Sequence, residues 1–178
     1  LLLLATHESA ESNPDQVPVD LREVVMASYS SIAPVLAQRE LGVHTDLPDD
    51  AVTVISDAGF LERAVTNLLT NAIKFTPDGG RVEVRLKEAG ADVEISVNDN
   101  GPGIAPLHLP QVFMLFAQGE QEISRPQGGL GLGLTLVQQL VTLHGGDISA
   151  FSKGLPGEGA EFVIRLPRRS AAKAGHST

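Results

Sequence analysis

The chain has 178 residues, 42% of them hydrophobic, which suits one domain with a real core and short appendages. It has no cysteine, which excludes a disulfide framework and a thiolate zinc site and fits a reducing compartment. A formal net charge of −9 argues against non-specific binding to nucleic acid or to an anionic membrane, so any phosphate must be held locally, by backbone amides and a few placed cations.

Leu1 to Leu4 are apolar, but the run is far too short to span a bilayer. The sequence opens without an initiator Met and inside an apolar pattern, as expected of a fragment cut from a longer protein. Residues 1–13 read as the end of a helix, broken by Ser12-Asn13-Pro14-Asp15, and 14–19 as a polar linker. Asp20 suits the N-cap of a helix running to about residue 41, with Leu21, Val24, Val25, Ser28, Ile32, Val35 and Leu36 on one face. Pro34 falls inside it and is expected to kink or split it. Short strands follow near 43–46 and 52–55.

Asp57 can cap a second helix reaching about Phe75. At roughly 100° per residue, Arg63, Asn67, Asn71 and Lys74 form a polar stripe opposite Leu61, Ala64, Val65, Leu68, Leu69 and Ala72. The stripe reads either as a solvated face or as a site. Two short amides one turn apart are unusual on a solvated face, where Glu and Lys are the common choices. Two alternating strands at 81–88 and 91–98 follow, joined at Gly90, and the second runs into Asp99-Asn100-Gly101-Pro102-Gly103-Ile104, a carboxylate at a strand end before a glycine turn. A short helix is expected around Val112, Phe113 and Phe116, then a polar, aperiodic segment at 118–127 suited to a lid.

Gly128, Gly129, Gly131 and Gly133 then precede a helix in which Leu132, Leu136, Leu140 and Leu143 mark the face expected to be buried, with His144 capping its end before Gly145-Gly146. Glycines before a helix offer free N–H groups to an anion, or they serve as a plain connector; the residues alone leave both open. No Lys-Ser/Thr follows them, so this is not a P-loop, and no register reads G-x-G-x-x-G. Strands at 147–152 and 160–166 close the domain, which spans 20–168, and 169–178 read as a disordered tail. The order of elements predicts an α+β, two-layer sandwich: a mixed five-stranded sheet with about three helices on one face.

Four stretches together resemble the ATP-binding domain of histidine kinases. Asn67-Leu68-Leu69-Thr70-Asn71-Ala72-Ile73-Lys74-Phe75 resembles its N box, and Asp99-Asn100-Gly101-Pro102-Gly103-Ile104 its first glycine box. Phe113-Met114-Leu115-Phe116 is similar to the F box, and Gly129-Leu130-Gly131-Leu132-Gly133-Leu134 to the second glycine box. The resemblance implies the Bergerat fold of gyrase-like ATPases, with an ATP lid between the F box and the second glycine box.

It also implies roles. Asn71 would hold Mg²⁺, Asn67 reach the phosphates or the metal shell, and Lys74 supply a point charge to the phosphate chain. Asp99 would accept from the adenine amino group, with Gly101 and Gly103 passing close to the base and Ile104 forming an apolar wall. Phe75 and Phe116 would shape the site as packing rather than as direct ligands. Arg125 would meet the γ-phosphate, and the amides of Gly129, Leu130, Gly131, Leu132 and Gly133 would take the phosphates. In the hydrolysing relatives the position of Asn67 carries a glutamate that activates water. An amide cannot serve as a general base, which favours transfer over hydrolysis.

The phosphoacceptor motif of such kinases, a Ser-His-Glu-Leu-Arg-Thr-Pro-like run, is not found. His7 is followed by Glu8-Ser9-Ala10-Glu11, and His44, His108, His144 and His176 lie elsewhere. The start of the chain instead resembles the end of a dimerisation and phosphotransfer domain. The implied function is donation of the γ-phosphoryl group of Mg-ATP to a histidine on that separate domain, within a two-component system whose downstream partner is a response regulator. The fragment itself is expected to be monomeric. A nucleotide-binding regulatory module without transfer is the alternative; an anti-sigma-type serine kinase is disfavoured by the leucine-rich entry segment.

Overall fold

The structure, a computed structural model, describes residues 16–114 and 132–168. In chain order the elements are β1 (Val17–Asp20), α1 (Leu21–Leu36), β2 (Gly42–Asp46), β3 (Thr53–Ser56), α2 (Ala58–Phe75), β4 (Arg81–Ala89), β5 (Asp92–Asp99), a 3₁₀ turn (Leu109–Gln111), α3 (Leu132–Leu143), β6 (Asp147–Ser152) and β7 (Ala160–Pro167). The main sheet has five strands in the order β2-β4-β5-β7-β6, and β1 and β3 form a separate two-stranded sheet. In the main sheet β2 runs parallel to β4 while all other neighbours are antiparallel, so the sheet is mixed, as expected.

Alternation builds the core. Val82, Val84 and Leu86 of β4, Val93, Ile95 and Val97 of β5, and Phe162, Ile164 and Leu166 of β7 are all buried. They join Leu61, Ala64, Val65, Leu68, Leu69 and Ala72 of α2 in one cluster, and each fully buried Leu or Val contributes roughly 1.5–3 kcal/mol of transfer free energy. α1 packs on α2 and α2 on α3, giving the helical layer. No described helix is long and apolar enough to cross a membrane.

Several sequence expectations need correction. α1 ends at Leu36, not near residue 41. Pro34 stands in its last turn and lacks the N–H that a helical residue donates four residues back; the helix ends two residues later, and tight turns follow as Gln38 and Arg39 donate to the carbonyls of Val35 and Leu36. Residues read as linker form β1, which pairs with β3 rather than leaving the fold. The expected helix around Val112 and Phe113 is a 3₁₀ turn three residues long, placed just before them. On α3 the buried residues are Val137, Leu140 and Val141, whereas Leu143 is 57% exposed. His144 does close the helix: its Nδ1 lies 2.6 Å from the carbonyl oxygen of Leu140 and its ring meets Phe60 edge-on at 5.5 Å.

The sheet face turned away from the helices is charged, with one buried member. Glu94 is 8% exposed, and its carboxylate meets Arg165 at 2.6 Å and Lys87 at 3.2 Å, residues directly opposite it on β7 and β4. The Arg165 hydrogen bond, opposed by burial and helped by Lys87, holds the Glu94 carboxyl below its usual 4.5. Its pKa is depressed in the fold, so its stabilisation is present above 4.5 and lost as pH falls through the lower folded value. Glu94→Gln should therefore lower the unfolding free energy by about 1 kcal/mol at neutral pH. In urea titrations this deficit should vanish on acidification.

Candidate functional site

α2 owes its length to a clean start. Asp57 accepts from the N–H groups of Gly59 at 2.9 Å and Phe60 at 3.2 Å, and the apolar period then runs unbroken to Ile73. Its far end is closed by a residue that sequence reasoning missed. Arg39 donates to the carbonyl oxygens of Ile73 at 2.9 Å and Thr76 at 2.6 Å and pairs with Asp78 at 2.7 Å, satisfying the helix's last carbonyls from the turn after α1.

The polar stripe lies along this helix. Asn67 and Asn71 are half-buried, Arg63 and Lys74 exposed. Neither amide has a hydrogen-bond partner among the described residues, and Lys74 makes no ion pair there; its ammonium lies over the Phe75 ring at 5.2 Å. Half-buried amides without internal partners are poised for an external one.

The strand end meets this helix end. α2 packs on β5, and a Cβ added at Gly101 would stand 3.0 Å from both the Phe75 carbonyl oxygen and Asp99 Oδ1. Gly101 is thus where the C-terminal turn of α2, bearing Lys74 and Phe75, touches the Asp99 turn. Asp99 is 9% exposed, and its Oδ1 accepts from Gly101 N–H at 2.9 Å. Burial pushes its carboxyl above the usual 3.8, the N–H groups of Gly101 and Ala160 pulling partly back. A buried carboxylate with no ion pair among the described residues, raised by desolvation, makes Asp99 a candidate functional group. Gly103 takes the left-handed region at φ +79°, and Ile104 packs half-buried against the core.

On the other flank Phe113 stands edge-on to Phe162 at 6.0 Å, and Thr135 of α3 donates to the Phe113 carbonyl oxygen at 3.1 Å. Gly133 lies exposed in the first turn of α3. Phe116, Arg125, Gly129, Leu130 and Gly131 lie outside the described residues, as does the Leu132 side chain. Asn67, Asn71, Lys74, Phe75, Asp99, Gly101, Gly103 and Ile104 are therefore gathered on one helix and the turn abutting it.

Two open grooves are present, the second bordering the Asp99 turn through Ser152, Gly159 and Ala160. One of about 400 Å³ is lined by Leu47, Pro48 and the Asp46–Arg85 pair, and one of about 530 Å³ by Leu109, Phe151 and the Lys153–Glu158 pair. The first groove also holds Asp50, Lys87 and Glu88, the last two engaged by Glu94 and Arg168, and the second holds Asn98 and Glu161.

The β6–β7 connection was legible only as a glycine-rich turn. Gly154, Gly157 and Gly159 all have positive φ, and Gly157 and Gly159 donate to the Gly101 carbonyl oxygen at 3.0 and 3.1 Å. Three glycines in so short a connection were the available signal for a backbone that must approach another segment closely.

No group of three or more His, Cys, Asp or Glu able to hold a metal exists among the described residues. Asn71 offers one hard, unengaged amide oxygen with solvent room around it. That donor set suits a cation held mainly by water and phosphate oxygens, as Mg²⁺ prefers.

Residues 56–170 match the family described as histidine kinase-, DNA gyrase B-, and HSP90-like ATPase. The chain is 36% identical over 167 residues to the sensor-like histidine kinase SenX3 of Mycobacterium tuberculosis, covering 94% of this chain and 40% of that protein. Among solved structures, it is similar to the mycobacterial sensor histidine kinase MprB, with TM-score 0.76 and 34% identity, covering 86% of this chain and 99% of that one. It is also similar to full-length ShkA in complex with AMPPNP, with TM-score 0.75 and 28% identity over 89% of this chain and 32% of that one. The chain spans well under half the length of curated relatives such as SenX3.

Proposed function

Since the chain belongs to the histidine kinase-, DNA gyrase B-, and HSP90-like ATPase family, as the ATP-binding catalytic domain of a sensor histidine kinase, we propose that it binds Mg-ATP beside α2 and donates the γ-phosphoryl group to a histidine on a separate dimerisation domain. The observation that carries this reading is Asp99: a buried carboxylate whose Oδ1 is committed to Gly101 N–H, leaving Oδ2 as the acceptor for an adenine amino group. The relative solved with AMPPNP supports a nucleotide as the ligand class.

In this reading Gly101 and Gly103 let the base approach the turn, Ile104 walls it, and Phe75 packs behind it. Asn71 would hold Mg²⁺ by its amide oxygen, with Asn67 one turn earlier reaching the phosphates or the metal's water shell. Lys74 neutralises phosphate charge. Mg²⁺, when bound, screens the charge that develops on the β- and γ-phosphate oxygens. Gly133 offers its backbone from the first turn of α3; Phe116, Arg125, Gly129, Leu130 and Gly131 are assigned to the site from the sequence alone. The transfer breaks the bond from the γ-phosphorus to its bridging oxygen and forms a P–N bond to the imidazole; ADP leaves and the imidazole gives up a proton. Asn67, being an amide, cannot deprotonate water, so the site presents the phosphoryl group without hydrolysing it. The relatives' role as sensor kinases points to a response regulator as the next acceptor.

The test is to mix the fragment with its own dimerisation domain and γ-labelled Mg-ATP. Label on histidine is expected, and Asn71→Ala should cut it on the order of 100-fold, the scale for losing one group that stabilises the transferring charge. Tight nucleotide binding that ignores Mg²⁺ and yields no labelled histidine would overturn transfer in favour of a regulatory module.

A further inference from the structure

We infer that Ser152, the last residue of β6, is a positioning residue for adenine recognition, acting through the glycine turn and not on the nucleotide itself. The inference rests on the proposed contact between Asp99 and the adenine amino group. The Ser152 hydroxyl is fully used. It donates to the Gly159 carbonyl oxygen at 2.8 Å and accepts from the N–H groups of Ile104 at 2.9 Å and Gly154 at 3.2 Å. One donor and two lone pairs are all that a hydroxyl has.

Those partners belong to two segments far apart in sequence. Ile104 ends the turn that begins at Asp99; Gly154 and Gly159 belong to the β6–β7 connection. The same connection grips the turn at its other end, through the bonds from Gly157 and Gly159 to the Gly101 carbonyl oxygen at 3.0 and 3.1 Å. Between the two grips sits Gly103, where an added Cβ would lie 3.1 Å from Ser152 Oγ and 3.3 Å from the carbonyl oxygens of Gly159 and Leu155. The turn is therefore seated in a mould made by the β6–β7 connection, and the hydroxyl pins both parts at once.

The route to the base is short. Gly101 N–H fixes Asp99 Oδ1 at 2.9 Å, which sets where Oδ2 stands. With Ser152 pinning Ile104 and Gly159, the Gly101 peptide has one position. Without it, the half-buried Ile104 N–H and Gly159 carbonyl lose their partner and the turn can tilt away from the strand end. A tilted carboxylate loses its directional bond to an amino group but keeps its general contribution to site shape. The consequence is a loss of base discrimination rather than a general loss of binding.

Calorimetry with ADP and with inosine diphosphate, which lacks the amino group, separates these outcomes. The wild-type protein should prefer ADP. In Ser152→Ala the ADP dissociation constant should rise about ten-fold, the scale of one well-placed hydrogen bond, with inosine diphosphate nearly unaffected. Ser152→Thr, which keeps the hydroxyl, should restore the preference. Ser152→Cys, which keeps the side-chain volume with a much weaker donor, should lose it and serves if the alanine variant does not fold.

An unchanged ADP preference in the alanine and cysteine variants overturns the inference, whether or not both affinities fall together, because a merely structural serine would weaken both ligands alike. A wild-type protein that binds both equally overturns the Asp99 contact itself, and with it this inference. That failure is recognisable because it appears before any substitution is made.

Discussion

Replacing Asp99 by Asn should weaken ATP binding by roughly 1–3 kcal/mol in calorimetry while leaving the nucleotide-free domain as stable as before, or more so. Oδ1 accepts from Gly101 N–H at 2.9 Å, and Oδ2 is the acceptor offered to the base. An amide has one oxygen for two acceptor positions. If the oxygen stays on Gly101, an NH₂ faces the adenine amino group; if the amide flips, the NH₂ faces Gly101 N–H. Either orientation sets donor against donor.

Stability moves the other way. Burial raises the Asp99 pKa in the fold, so the neutral form is the one folding favours. Its contribution to stability is present below the ordinary value of 3.8 and lost as pH rises through the higher folded value, which makes the charged carboxylate a cost at neutral pH. The neutral amide removes that cost. For the wild type, the same shift means that ATP affinity should begin to fall on acidification at a higher pH than an exposed aspartate would give. Unchanged affinity in the variant would remove Asp99 from the site.

The largest loss of stability should come from Gly159→Ala, about 3 kcal/mol or more in urea titrations, together with loss of nucleotide binding. Gly159 has φ +63°, and a Cβ there would collide with the carbonyl group of Asp99. Neither neighbour can yield: Asp99 ends β5, and Gly159 enters β7, which pairs with β5 along its length. Gly157→Ala is the internal control. Its φ is +84°, but nothing lies within 4 Å of the added carbon, so only backbone strain of about 1–2 kcal/mol is expected. Equal costs at the two positions would show that contact with Asp99 is not what Gly159 provides.

What could be read from the sequence follows from how locally each feature is specified. α2 and the β4–β5 hairpin carry their own instructions: an N-cap at Asp57, an unbroken apolar period, and a turn at Gly90 with φ +65°. β1 carries none. It is four residues, Val-Pro-Val-Asp, and becomes a strand only because Thr53–Ser56 comes back to pair with it. The parallel pairing of β2 with β4 likewise depends on segments separated by the whole of α2. On α3 a leucine series suggested the buried face, but packing against α2 selects Val137, Leu140 and Val141 and leaves Leu143 outside.

The site divides in the same way. Asn67, Asn71, Lys74 and Asp99 stand in motifs where residue type and spacing carry the chemistry. Arg39 and Ser152 do their work through carbonyl and amide groups of distant residues. An arginine after a helix and a serine at a strand end look ordinary until those partners are in place.

The position of β7 has a consequence for how the domain is made. It is the last described strand in the chain, yet it lies between β5 and β6. During synthesis, Val93, Ile95 and Val97 must therefore wait on a strand with an open edge until residues 160–167 have left the ribosome, an interval in which the nascent chain is open to wrong pairing. Gly159 arrives in the same stretch, so the Asp99 turn is completed only then. On the proposed Asp99 contact, a nucleotide finds its full seat only on the completed domain. Its protection begins when the final hairpin has closed.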